Sequence, residues 1–209
     1  MKDIDEEQIA TLKNWWDKNK VSLICGLGIG LTALFGWRGW QDYATTQARD
    51  ASKLYEKLVV ATKQDNTEVD MLLEQLMKGY KSTPYAIFSA LLMAKKAVEK
   101  NDLENAKQHL EWALENAEHS ELQHLIRLRL ARLFLETDNN DEALSLLEAG
   151  LTPESFAPSY LELQGDILVQ KGDLQAAKNL YNEALENQTP YGNSSILQKK
   201  IDDIGNVLF

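Results

Sequence analysis

The chain has one cysteine, Cys25, and that residue lies inside an apolar run. No intrachain disulfide is possible, and no thiol outside that run can serve as nucleophile or metal ligand. Prolines number only four, at 84, 153, 158 and 190, so long helices are possible nearly everywhere. No segment alternates apolar and polar residues as a half-buried strand does. HExxH, phosphate-loop and serine-elbow patterns are all missing. The three histidines are His109, His119 and His124, and the last two are spaced poorly for one helix face. His109 falls where a solvated side chain is expected. Acidic groupings such as Asp202-Asp203 and Asp102 with Glu104 suit helix starts and solvation. The reading is of a non-enzyme that uses no metal and no cofactor.

Basic charge is also scarce. Residues 41–209 carry 27 acidic and 17 basic side chains, a net of −10. Such a surface disfavours nucleic acid, whose phosphates demand a basic face, and flat docking on anionic lipid.

What the chain does have is one long uncharged run, residues 21–37, VSLICGLGIGLTALFGW. Trp15 and Trp16 precede it at one side; Trp37 ends it at the other, with Arg38 and Trp40 following. As a helix, Trp16 and Trp37 would lie roughly 31 Å apart, matching a hydrocarbon core of about 30 Å with indoles at both boundaries. Arg38 can snorkel and lengthen the span. The pattern predicts a membrane-spanning helix over 21–40, preceded by a short amphipathic helix over 1–20 with Ile4, Ile9, Leu12, Trp15 and Trp16 on one side. Gly36-Trp37-Arg38-Gly39-Trp40 offers no small-x-small cleavage site, so the run reads as an uncleaved signal-anchor. Lysines 13, 18 and 20 before the span, against Arg38 and Arg49 after it with Lys53 and Lys57 further on, lean only slightly toward a cytoplasmic N-terminus. Gly26 and Gly30 form a GxxxG pair that permits close approach of a second membrane helix; glycine is also common in spans that have no specific partner.

Beyond the span the pattern is helical, with a turn at Gln64-Asp65-Asn66-Thr67 and punctuation at the prolines. An internal period is present. Ala106, Ala143 and Ala177 are spaced 37 and 34 residues apart. Twelve positions before each stands Ala94, Ala131 or Gly165; four after, Leu110, Leu147 or Tyr181; seven after, Ala113, Gly150 or Ala184; eight after, Leu114, Leu151 or Leu185. Five before each are Asn101, Asp138 and Gly172, assigned here as caps, with Glu104, Asp141 and Gln175 completing them. Small residues let paired helices touch, and large ones a turn on fill the groove between them. The pattern resembles tetratricopeptide (TPR) repeats, without the usual Trp and Tyr of the first helix. The expected fold is all-α, a single N-terminal transmembrane helix followed by a TPR-like solenoid. Repeats fall at about 86–118, 123–155 and 157–190. A degenerate unit falls at about 45–83, with Val60 and Leu72 in the small-residue places. A capping helix over 194–208 carries Ile196, Leu197, Ile201, Ile204 and Leu208.

The first helix of each repeat should line the inner face. That places Phe88, Leu91, Lys95 and Val98 there, then Leu125, Leu128, Arg132 and Leu135, then Ser159, Glu162, Asp166 and Val169. Two repeats are apolar with one cation each, and the third is polar and acidic. One reading is a groove for a peptide or partner helix; the other is that these apolar groups pack against adjoining helices.

Glu7-Gln8, Leu12-Lys13-Asn14-Trp15-Trp16, the glycine-rich span and Gly36-Trp37-Arg38-Gly39-Trp40 together resemble the YfgM family, the ancillary subunits of the bacterial Sec translocon. The resemblance covers essentially the whole chain. It implies a single-pass protein of the Gram-negative inner membrane, with a cytoplasmic N-terminus and residues 41–209 in the periplasm. It also implies association with the SecYEG channel and with PpiD, a membrane-anchored periplasmic foldase. The implied role is handing newly translocated, still unfolded proteins to periplasmic chaperones. An envelope-assembly scaffold without a Sec link is the alternative.

Overall fold

A computed structural model describes residues 2–64, 66–149, 152–188 and 194–207, with the side chains of 2–12, 17, 23, 206 and 207 outside that description. Among the described residues all regular structure is helical. The helices are α1 (Lys2–Lys63), α2 (Val69–Gly79), α3 (Pro84–Glu99), α4 (Leu103–Asn116), α5 (Ser120–Glu136), α6 (Asn140–Glu148), α7 (Ala157–Gln170), α8 (Leu174–Glu186) and α9 (Ser194–Val207). The chain divides into two compact units, Met1–Asp50 and Ala51–Phe209.

In the first unit, α1 is long and apolar enough to cross a membrane by length and composition. Its apolar side chains are exposed: among the described residues Ile24, Leu27, Ile29, Leu34 and Phe35 each keep more than half of their surface open. In water such a stripe is costly; in hydrocarbon it is the favoured solvent. Ile4, Ile9 and Leu12, read as an amphipathic face, have side chains outside the described residues.

The second unit is a row of antiparallel helix pairs, each packed against the next. Four apolar clusters follow one another along it. Ala51, Leu58 and Ala61 of α1 join Leu72, Leu73 and Leu76 of α2. Helices α3, α4 and α5 share the second cluster, α5, α6 and α7 the third, and α8 with α9 the fourth. Stability therefore accrues from neighbour to neighbour.

The periodic positions are the tightest points of this core. Ala106, Ala143 and Ala177 are wholly buried, as are Ala113 and Ala184. Ala94 and Ala131 are buried on the facing helices, with Leu110, Leu147 and Tyr181 beside them. Gly150, Leu151, Asp65, Pro190 and Leu208 lie outside the described residues. In the upstream unit Val60 is exposed, and the buried small residue is its neighbour Ala61.

The cap assignment needs correction by one residue. Asn101, Asp138 and Gly172 are not N-caps; they hold positive φ of 59°, 59° and 83°. Each ends a helix in the same way. Asn101 N–H donates to Val98 (2.9 Å) and Asp102 N–H to Ala97 (2.8 Å); Asp138 and Asn139 repeat this onto Leu135 and Phe134, and Gly172 and Asp173 onto Val169 and Leu168. These are Schellman ends, in which one residue must be left-handed. The next residue then starts the following helix: Asp102 accepts from Asn105 N–H and Asp173 from Ala176 N–H, at 3.2 and 3.1 Å. Asn, Asp and Gly are favoured both in the left-handed turn and at N-caps, so composition alone leaves the offset open. Glu104, Asp141 and Gln175 pair instead with Gln108, Lys171 and Asn179.

Candidate functional site

Two surfaces are candidates. The first is the exposed part of α1. Trp15, Trp16, Trp37 and Trp40 are all half-exposed or more, and Arg38 is exposed beside them. The Trp37 and Trp40 rings lie 5.5 Å apart. A side chain built at Gly26 or Gly30 would meet nothing within 4 Å, so the glycine face is open among the described residues.

The second surface is a cavity of about 330 Å³ between α3 and α5. Its floor is apolar, from Leu91, Ala94, Leu110 and Leu133, with Val98 at the side. Lys95, Arg129, Arg132 and Glu136 stand around it. Of the residues read as an inner-face groove, the structure thus brings together Leu91, Lys95, Val98 and Arg132.

The other proposed groove residues go elsewhere. Leu128 is 4% exposed and sits in the core with Ala131 and Leu147, so it is a packing residue and not a groove wall. Phe88 and Leu125 do not line the cavity. Phe88 instead closes an aromatic trio, its ring 6.3 Å from Tyr55 and 6.2 Å from Tyr85. Glu162 and Asp166 are already engaged. Lys200 of α9 donates to Glu162 at 2.8 Å and to both Asp166 oxygens at 2.6 and 2.8 Å, while Tyr181 donates to Asp166 at 2.7 Å. Burial works against the Lys200 charge, but the two carboxylates outweigh it and hold its pKa above the usual lysine value. Burial and the same carboxylates push the Tyr181 phenol well above its usual range.

Arg129, Glu136 and Leu133 were missed from sequence although a signal existed. Arg129 is three residues before Arg132 and Glu136 four after, which puts all three on one face. Lys200 had no such signal, because its partners lie 34 and 38 residues away. His124 is buried; its Nδ1 and the Tyr160 hydroxyl share a 2.9 Å hydrogen bond that ties α5 to α7. His109 is half-buried rather than solvated, and burial lowers its pKa despite Asp102 and Asp70. Among the described residues no three His, Cys, Asp or Glu side chains are grouped to hold a metal ion.

Fold and surfaces define a class: a TPR-like helical-repeat protein with one N-terminal helix fit to span a membrane. The profile of the Tetratricopeptide repeat-like domain family matches residues 13–206. A protein of Haemophilus influenzae, named an ancillary SecYEG translocon subunit, is 36% identical over 180 residues, 86% of this chain and 88% of its own. Proteins of the same name from Escherichia coli K12 (29% identical, 96% of each chain) and Neisseria gonorrhoeae (26%, 96% of this chain and 97% of that one) are also similar. The chain belongs to this tetratricopeptide repeat-like family, the YfgM family, whose relatives bear that name. No solved structure matches.

Proposed function

We propose that this chain is a non-enzymatic ancillary subunit of the Sec translocon. It is anchored in the inner membrane by α1 and carries its repeats, residues 41–209, in the periplasm. There it links the SecYEG channel to a PpiD-like membrane-anchored foldase and so to newly exported, unfolded proteins. The observation that carries this reading is the extent of the similarity. The Escherichia coli relative aligns over 96% of both chains, through the apolar helix as well as the repeats. A shared TPR-like domain alone would speak only for protein binding.

In this reading Trp15 and Trp16 mark one lipid boundary, and Trp37, Arg38 and Trp40 the other. Gly26 and Gly30 face a channel helix, where the open backbone allows close contact. The repeats offer the cavity between α3 and α5 as a second contact. Isolation of the full chain in mild detergent should recover SecYEG together with a periplasmic foldase. Recovery of outer-membrane or cell-wall assembly proteins with no SecYEG would refute the Sec role in favour of an envelope scaffold. Protease added to spheroplasts should digest residues 41–209 and spare cytoplasmic markers; full protection with the membrane sealed would reverse the orientation.

A further inference from the structure

The cavity between α3 and α5 inverts the sign of its surroundings. Acids outnumber bases 27 to 17 over residues 41–209, yet here three cations, Lys95, Arg129 and Arg132, face one acid, Glu136. Among the described residues Arg129 and Arg132 have no carboxylate within salt-bridge distance, and Lys95 has only a loose 3.8 Å pair with Glu99 on its own helix.

The repeats supply a comparison within the chain. Lys95, Arg132 and Asp166 occupy the same place, one residue after the small residues Ala94, Ala131 and Gly165. In the last repeat that place is acidic, and the chain closes it with Lys200. In the first two it is basic, and among the described residues no carboxylate from another helix closes it. The arrangement calls for the opposite of Lys200, a carboxylate brought in on an apolar segment. Guanidinium groups bind carboxylates in bidentate fashion, and the floor of Leu91, Leu110 and Leu133 would take an aliphatic side chain. A free anion would leave that floor empty.

We propose that this cavity binds an acidic amphipathic peptide segment of a partner protein, with a leucine-like side chain on the floor and carboxylates on Arg132 and Lys95. The proposal deepens the Sec reading, which offers this cavity as its second contact, but it is argued from the cavity's own charge and lining. The probe is a blocked, fluorescently labelled peptide with leucines at helical spacing flanked by glutamates, titrated into the full chain in detergent micelles. It should bind, and more weakly as salt rises. Replacing its glutamates by glutamine should weaken binding about tenfold or more, or roughly 1.4 kcal/mol. Arg132→Glu with Lys95→Glu should weaken it likewise, and that variant should prefer the lysine form of the peptide. Both residues are exposed, so helicity should be kept; if it is not, Arg132→Gln with Lys95→Gln asks the same question without a reversed charge. Failure of the glutamate peptide to bind would overturn the proposal. So would equal binding of the glutamine form, unchanged binding by the folded variants, or displacement by equimolar inorganic phosphate or anionic phospholipid. Because binding is read on the isolated chain, loss of SecYEG from detergent isolates would refute the Sec reading and leave this site standing.

Discussion

Gly165 and Tyr181 are fitted to each other. A Cβ at Gly165 would lie 2.7 Å from Tyr181 Cδ1 and closer still to Cε1. The pair stands 16 residues apart, as do Ala94 with Leu110 and Ala131 with Leu147. Where the groove residue is leucine the facing position carries a methyl; where it is a tyrosine ring, it carries none. The ring is buried, and its hydroxyl reaches Asp166.

Gly165→Ala should therefore destabilise the repeats by about 1–3 kcal/mol, because the ring must leave its place and its hydrogen bond. Adding Tyr181→Leu should recover part of that loss, giving a coupling of about 1 kcal/mol or more. Thermal unfolding of the four chains, followed by helical circular dichroism, measures it. Simple additivity would show that the two positions do not constrain each other.

Alkali should loosen α9. Lys200 and Tyr181 both have folded pKa values above their unfolded ones of 10.5 and 10.0, so the folded chain holds protons that the unfolded chain gives up. Their contribution is full below about pH 10 and is lost as pH rises through the folded values. Lys200→Met should cost about 1–3 kcal/mol at neutral pH, since it strips charged hydrogen bonds from partly buried carboxylates. It should also flatten the alkaline decline. An unaltered decline in that variant would place the sensitivity elsewhere.

Acid should loosen the joint between α5 and α7. Burial first, and then the neighbouring Arg127 charge, lower the His124 pKa against the opposing Glu121. A lowered histidine contributes stability above its unfolded pKa of 6.5, lost as pH falls below that value. His109, lowered by burial, acts in the same direction. His124→Phe should lessen the acid sensitivity, and Tyr160→Phe should cost about 1 kcal/mol at neutral pH through the lost hydrogen bond. Equal acid sensitivity with and without His124 would contradict this.

The repeats were legible because packing acts locally. Ala106, Ala143 and Ala177 must be small wherever two helices cross, and that need leaves a mark at a fixed period. The cap register was not legible, since Asn101 and Asp102 are both residues that turns and caps accept. The inner face was legible only in part. Leu91 and Leu128 hold equivalent places, three residues before Ala94 and Ala131, yet one floors an open cavity and the other is sealed in the core. The difference lies in the neighbouring pair: α7 packs directly on α5, whereas a cavity lies between α3 and α5 beside the cluster they share. Such spacing depends on contacts across repeats and carries no mark within one. The engagement of Asp166 by Lys200 was hidden for the same reason.

On the proposed function the chain holds the translocon from within the membrane and from its repeats at once. The measurement that bears on it most directly is quantitative recovery of SecYEG with the full chain in mild detergent. Wild type is compared with Gly26→Leu plus Gly30→Leu, with Lys95→Glu plus Arg132→Glu, and with all four together. Two modest contacts on one anchored chain reinforce each other through effective concentration. Recovery should fall several-fold with either pair and to background with all four, in chains that keep their helicity and melting behaviour. Wild-type recovery of SecYEG by the folded quadruple variant would contradict the claim.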